Sequence, residues 1–191
     1  EKPDMGVFLS EWKALYDSKS GERGIFNRES AVKMASKNGR RNVKDFEFGT
    51  NPCSEIILRN RQFCNLSEVV VRAYDTPESL LKKVRLAAIL GTFQATLVNF
   101  RYVSSSWKKN CEEERLLGVS LTGIMDCQYT NGKIGNLEKL LDSLREEAVK
   151  TNEEFAKKIG QSHSWLMQHL VSTQGIILTT SVQCVETRKT H

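Results

Sequence analysis

The sequence predicts an α/β fold, in which amphipathic helices alternate with short buried strands. Three stretches carry apolar side chains at steps of three and four residues, the spacing of one helix face: 5–18, 77–100 and 137–159. Three short apolar runs are predicted to be strands: 56–58, 68–71 and 116–124. Strands that alternate with helices are typical of an α/β layer or barrel.

Two helices are predicted near the start of the chain. The first covers 5–18, and its apolar positions are Val7, Phe8, Trp12, Leu15 and Tyr16. Ser20 and Gly21 end this helix, because both residue types favour turns. A shorter helix is predicted over 29–38, and the polar stretch 38–42 is predicted to be a loop.

Cys53 is predicted to lie on a loop flanked by strands. Pro52, directly before it, has no backbone donor and keeps the preceding residue out of the helical region. The cysteine therefore belongs to an irregular segment and not to a helix.

Capping signals define the starts of the two later helices. Thr76 supplies a hydroxyl cap, Pro77 fits the first turn, and Glu78 lies near the positive end of the helix dipole. That helix is predicted to run to about residue 100. Asn136 is predicted to cap the last helix, whose apolar stripe is Leu137, Leu141, Leu144, Ala148, Phe155 and Ile159.

Length and composition fit one globular domain of 191 residues, 39% of them hydrophobic and 27% charged. There is no run of about 18 apolar residues and no signal peptide, so we expect no membrane span and a cytoplasmic location. Because residue 1 is not methionine, we expect that end to be an internal cut. The net charge of +5 permits an anionic partner such as a nucleotide.

The basic residues do not predict a nucleic-acid groove, because they are scattered among acidic ones. Two tight basic pairs, Arg40-Arg41 and Lys108-Lys109, are predicted to be solvated surface. Five cysteines at irregular spacing, with no C-x-x-C pair, predict neither a disulfide framework nor a metal site. Cys111 and Cys127 are predicted to be small core residues.

Two cysteine motifs carry most of the functional information. Residues 51–56 read NPCSEI, and residues 64–69 read CNLSEV. One thiol thus lies between an amide and a carboxylate, and a second thiol follows eleven residues later. This grouping suits radical chemistry on a sugar, which needs a thiol to abstract hydrogen, polar groups to hold hydroxyls, and a second thiol to supply electrons.

The motif pair resembles the core of the ribonucleotide reductases, and more narrowly the monomeric, adenosylcobalamin-dependent ribonucleoside-triphosphate reductases. Three further blocks resemble the same family in the same order: 20–28, 113–124 and 145–152. The eleven-residue step between the cysteines favours the cobalamin-dependent branch over the iron-dependent one.

The resemblance implies part of a ten-stranded α/β barrel with a finger loop through its middle, incomplete in this chain. It implies that Cys53 is the thiyl radical that abstracts the 3′ hydrogen of the ribose. By the same resemblance, Glu55 accepts the 3′-hydroxyl proton, and Asn51 hydrogen-bonds the sugar hydroxyls. Cys64 is implied to be one of two thiols that reduce the sugar and end as a disulfide.

The family also implies partners and a product. These are a ribonucleoside triphosphate as substrate, adenosylcobalamin as cofactor, a thioredoxin-like dithiol as reductant, and a dNTP effector whose site is expected in a missing part. The product is a 2′-deoxyribonucleoside triphosphate for DNA synthesis. The motifs do not indicate which residues contact cobalamin.

The resemblance covers residues 1–160 as a partial barrel core and leaves 161–191 as a non-homologous tail. Read one base out of frame, the codons for 164–175 allow MVDAASGIHPRY, which resembles the next segment of the family. Our hypothesis is a frameshift near codon 160. It gives no ligand or catalytic role to the tail residues His163, His169, Cys184 and His191.

Two alternatives remain beside the reductase, and the isolated chain is itself expected to be inactive. One is a non-catalytic truncated remnant that keeps the motif. The other is a small basic nucleotide- or nucleic-acid-binding module. Binding by such a module would depend strongly on salt and would be indifferent to Cys53.

Overall fold

A computed structural model describes residues 3–20, 26–36, 41, 43–45, 47–51 and 56–160. The described part is mixed α/β, as predicted. Its elements, in order, are α1 (Met5–Ser18), α2 (Arg28–Ser36), β1 (Phe48–Thr50), β2 (Ile57–Arg59), β3 (Asn65–Val70), α3 (Pro77–Gln94), α4 (Ser105–Glu114), β4 (Leu117–Thr122), a 3-10 turn (Ile124–Asp126) and α5 (Leu137–Lys158).

The strands form two small sheets. In the antiparallel β1–β2 pair, Phe48 lies opposite Arg59. In the parallel β3–β4 pair, Asn65 lies opposite Leu117 and Val70 opposite Thr122. Parallel neighbours need a crossover connection, and here α3 and α4 lie between the two strands in the chain. Over the residues described, the two sheets do not close into a barrel.

The core lies where α3 and α5 pack against the β3–β4 sheet. Most of its members are apolar side chains of those four elements, among them Val69, Leu80, Val84, Ala88, Val119, Leu121, Leu144 and Ala148. Gly91 lets α3 approach the sheet closely, since a Cβ there would lie 2.1 Å from Leu117 Cδ1. Cys111 and Cys127 are both buried, which confirms their prediction as core residues.

The predicted capping residues act as expected. Thr76 and Ser79 form a reciprocal capping box at the start of α3. Asn136 Oδ1 accepts the N–H of Lys139 at 3.0 Å and starts α5. The helix predicted over 5–18 is α1, although none of its side chains is buried in the described part.

The predicted end of α3 is wrong, because the helix stops at Gln94 and not near residue 100. Side chains donate hydrogen bonds to carbonyl groups at the end of α3. Thr96 Oγ1 donates to the carbonyl of Phe93 at 2.7 Å, and Arg115 Nη1 donates to that of Ala95 at 2.9 Å. Turns follow in place of further helix.

Candidate active site

Two of the four predicted site residues, Asn51 and Cys64, belong to the described part of the chain. Cys53 and Glu55 lie outside the described residues, so their roles and their distances to the other two stay predictions. Asn51 and Ile56, on either side of residues 52–55, are described and give the positions of the two ends of that segment.

Asn51 joins the two ends of the segment that contains Cys53 and Glu55. Its backbone N–H donates to the carbonyl of Ile56 at 3.3 Å, one step beyond the β1–β2 ladder. Its side-chain Oδ1 accepts the N–H of Ile56 at 3.0 Å and the hydroxyl of Thr50 at 3.3 Å. Residues 52–55 therefore connect two points that are hydrogen-bonded to each other.

Cys64 is half-buried and directly precedes β3. The N–H of Phe63 donates to Cys111 Sγ at 3.3 Å. On the other side, the backbone N–H and the side-chain Nδ2 of Asn65 both donate to the carbonyl of Leu116 at 3.0 Å. Cys64 thus lies at the amino-terminal end of the parallel sheet. Its neighbour Phe63 is hydrogen-bonded to α4, and its neighbour Asn65 is hydrogen-bonded to Leu116, just after α4.

Helix α4 contacts the segment between the two motif cysteines. Asn110 Nδ2 donates to the carbonyl groups of Asn60 at 2.8 Å and Arg61 at 3.3 Å. Gln62 Nε2 donates in return to the carbonyl of Asn110 at 3.3 Å. This helix, which was not predicted, therefore positions residues 60–62, directly before Cys64 in the chain.

Glu114, the last residue of α4, is 1% exposed, accepts hydrogen bonds from Arg41 and Gln62, and forms an ion pair with Arg59. Arg41 donates from Nε at 3.0 Å and from Nη2 at 2.6 Å. Arg59 Nη2 lies 2.8 Å from Oε1, and Gln62 Nε2 donates to Oε2 at 2.7 Å. The carboxylate thus has donors on both of its oxygens, which offsets the cost of burying it.

Burial on its own raises the pKa of Glu114. The hydrogen bond and charge of Arg41, the hydrogen bond of Gln62 and the charge of Arg59 outweigh burial, and the pKa lies below its ordinary value. Glu114 is therefore ionised at neutral pH.

Arg41 contacts both strands of the β1–β2 pair. Its guanidinium lies over the Phe48 ring at 4.6 Å from the ring centroid, and its Nη1 donates to the carbonyl of Ile57 at 2.8 Å. The prediction of a solvated Arg40-Arg41 surface is wrong for Arg41, which is only 6% exposed. Glu114 supplies the counter-charge that makes this burial favourable.

Arg59 completes the charge balance of the group. Its Nη1 lies 2.7 Å from Glu113 Oε2, so two guanidinium groups face two carboxylates. The Glu114 cluster is formed by Arg41, Arg59, Gln62, Glu113 and Glu114.

Sequence reasoning missed this cluster, although one signal was available. Three consecutive glutamates, Glu112 to Glu114, lie one residue before an apolar strand, where a carboxylate next to the core needs a cationic partner. Nothing in the sequence identifies which arginine supplies that partner.

The described part contains no group of three or more His, Cys, Asp or Glu side chains able to hold a metal ion. We assign no residue to a cofactor. None of the described helices is long and apolar enough to cross a bilayer.

The curated proteins that this chain matches are named as nucleotide reductases. The chain is 36% identical over 118 residues to the adenosylcobalamin-dependent ribonucleoside-triphosphate reductase of Lacticaseibacillus paracasei, covering 59% of this chain and 15% of that protein. It is 26% identical over 178 residues to the enzyme of that name from Lactobacillus leichmannii, covering 76% of this chain and 23% of that protein.

A third relative, the reductase of the same name from Lactobacillus acidophilus, is 32% identical over 114 residues, or 56% of this chain and 14% of that protein. No family model and no solved structure matches. The resemblance predicted from the two motifs is confirmed, and the chain spans less than a quarter of the length of each of these relatives.

Proposed function

We propose that this chain is part of the catalytic core of an adenosylcobalamin-dependent ribonucleoside-triphosphate reductase. The activity is reduction of ribonucleoside triphosphates to 2′-deoxyribonucleoside triphosphates. The observation that carries the proposal is the ordered pair of cysteine motifs in a chain that is 36% identical over 118 residues to a protein of that name.

In the proposed mechanism, Cys53 as a thiyl radical abstracts the 3′ hydrogen of the ribose and thereby becomes a thiol, and it becomes a thiyl radical again when it returns that hydrogen. Glu55 accepts the proton of the 3′ hydroxyl as a general base. Asn51 hydrogen-bonds the sugar hydroxyls. The bond between Asn51 and Ile56 supports these roles, because it fixes the ends of the segment that carries both other residues.

Cys64 is proposed to reduce the sugar together with a second thiol from the remainder of the protein. The two thiols would supply two electrons and end as a disulfide, which a thioredoxin-like dithiol would reduce again. Bound adenosylcobalamin would supply the initiating radical. The effector dNTP and the cytoplasmic location belong to the same proposal.

The fold proposal is that residues 1–160 form part of a ten-stranded barrel. Exposed apolar surface supports it. Three α3 side chains at helical spacing, Leu86, Leu90 and Phe93, are each more than half exposed, as is Leu97 just after the helix. Among the described strands, β3 is paired on one side alone, by β4. An open strand edge beside an apolar helix stripe suits further strands and helices of a larger barrel.

Residues 161–191, which lie outside the described residues, are proposed to be a non-homologous tail produced by a frameshift. The nucleotide sequence around codons 155–170 tests this. The other frame is expected to read MVDAASGIHPRY, and a frame without that reading would refute the frameshift.

The reductase proposal is tested in a full-length relative that carries this core. Cys53→Ser is expected to abolish deoxynucleotide formation with adenosylcobalamin and a dithiol, because a serine O–H is much harder to cleave homolytically than a thiol S–H. The matched control is Cys111→Ser, which keeps an acceptor for the N–H of Phe63 and is expected to retain activity. Near-normal multiple turnover by Cys53→Ser would refute the proposal.

A further inference from the structure

We propose that Glu114 is a positioning residue that sets the location of the β1–β2 pair, whose strands lead into and out of residues 52–55, relative to Cys64. This inference rests on the proposed function, in which Cys53 and Cys64 act on one sugar. It goes beyond that function because neither cysteine motif contains Glu114, which lies 50 residues after Cys64 in the sequence.

The first step is that one carboxylate is connected to both strands that lead into residues 52–55. Arg41 donates a hydrogen bond to Glu114 at 2.6 Å. The same guanidinium lies over the ring of Phe48 in β1 and donates to the carbonyl of Ile57 in β2. Arg59 of β2 is bonded to the same carboxylate at 2.8 Å. A shift of Glu114 therefore moves both ends of the segment together.

The second step is that the same carboxylate is connected to the residues before Cys64. Gln62 donates to Glu114 at 2.7 Å, while its Oε1 accepts the N–H of Arg59 at 2.9 Å. Gln62 precedes Cys64 by two residues. The contacts from the Cys53 side and from the Cys64 side thus meet at one buried group.

The third step is that Glu114 is itself attached to the core. It ends α4, and β4 begins three residues later at Leu117, paired with β3 and covered by α3. The β1–β2 pair and the β3–β4 sheet share no strand. The Glu114 cluster connects the two sheets directly, through the buried and charged side chains of Arg41, Arg59 and Glu114.

The first experiment uses the 191-residue chain and measures amide hydrogen exchange in Glu114→Gln. The carboxamide has the size of the carboxylate but lacks its charge and replaces one acceptor oxygen with a donor. We expect the acceleration of exchange in 48–51 and 56–59 to exceed that in 117–121 by at least about tenfold. Equal acceleration in both regions would indicate general destabilisation and would overturn the inference, as would unchanged exchange in 48–59.

Matched variants keep this experiment decisive. Glu113→Gln removes a carboxylate with one contact and a 31% exposed side chain, and it is expected to leave exchange in 48–51 unchanged. If Glu114→Gln does not fold, Gln62→Ala gives the same test on the Cys64 side. Its expected effect is faster exchange confined to 59–65, and exchange like that of the unmodified chain would overturn the inference.

The second experiment uses a full-length reductase that carries this core. Glu114→Gln is expected to lower kcat by about a hundredfold, the effect of misplacing reacting groups by about 1 Å. The KM for the nucleotide should stay within about twofold, because the residue does not contact the substrate. Glu114→Asp, which keeps the charge but shortens the reach, is expected to be intermediate.

The two proposals fail in different ways. Normal turnover by Cys53→Ser would refute the reductase function itself. An inactive Cys53→Ser beside a Glu114→Gln enzyme with unchanged kcat would leave the function standing and refute the positioning role. An increase in KM with unchanged kcat would also refute it, because that pattern indicates a loss of substrate binding.

Discussion

Asn51 and Ile56 are joined by two hydrogen bonds across the four residues between them. The side-chain Oδ1 of Asn51 accepts the N–H of Ile56 at 3.0 Å, and the backbone N–H of Asn51 donates to the carbonyl of Ile56 at 3.3 Å. Ile56 is buried, so its N–H needs that acceptor. The residue proposed to bind the sugar thus also closes the segment that carries Cys53.

Replacement of Asn51 by alanine is expected to destabilise the chain by about 1–3 kcal/mol, because the buried N–H of Ile56 loses an acceptor. Asn51→Asp keeps a side-chain oxygen and should recover most of that loss. Urea unfolding gives the free energies, and amide exchange at Ile56 locates the effect. Equal unfolding free energies for the alanine and aspartate variants would contradict this role of Oδ1.

The Glu114 cluster should make the chain less stable as the pH is lowered. The pKa of Glu114 is lower in the folded chain than its ordinary value of 4.5, so the folded state favours the ionised form. The contribution is present above the ordinary pKa and is lost as pH falls through the lower, folded value. Glu114→Gln, which cannot titrate, should therefore lose less stability than the unmodified chain as the pH falls below 4.5.

The measurement for this prediction is urea unfolding of both proteins at each pH. The pKa of Asp75 is also lowered, because its bonds to Lys83, Ser79 and the N–H of Arg72 outweigh burial. Asp75 is common to both proteins and cancels in the difference between them. At neutral pH, Glu114→Gln should be less stable by about 3–5 kcal/mol, the cost of removing one partner from a buried ion pair. A difference that does not shrink on acidification would contradict the pKa direction.

Gly91 should tolerate no side chain, because α3 lies close to the sheet there. A Cβ at Gly91 would lie 2.1 Å from Leu117 Cδ1 and 2.7 Å from Ser67 Oγ. We expect Gly91→Ala to lower the unfolding free energy by about 1–3 kcal/mol through overpacking. Gly49→Ala is the matched control, since nothing lies within 4 Å of a Cβ there. Equal urea midpoints for the two variants would contradict the close packing.

Thiol reactivity should separate Cys64 from the core cysteines. Burial raises the pKa of Cys111 and outweighs the hydrogen bond from Phe63, so little reactive thiolate forms. Cys127 is also buried, whereas Cys64 is half-buried. After reduction, iodoacetamide at about pH 8 should label Cys64 first, and Cys111 and Cys127 on unfolding in urea. Peptide mapping by mass spectrometry assigns each label, and labelling of Cys111 as fast as Cys64 would contradict its burial.

Local physical chemistry made much of the fold predictable. The start of α3 was predictable because Thr76 and Pro77 act on the backbone next to them, and Asn136 does the same for α5. The end of α3 was not predictable, because Arg115, twenty residues away, takes the carbonyl of Ala95. The same reasoning explains why α4 was missed: its buried side chains include a carboxylate, so no apolar period marks its inner face.

The sequence by itself determined the α/β class, the order of most elements and the two cysteine motifs with their resemblance to a reductase. These depend on spacing and on neighbours in the chain. Only the tertiary structure decided that Arg41 is buried and that it meets Glu114, 73 residues away. A buried charge is favourable only when an opposite charge lies beside it, and folding alone decides which distant residue that is.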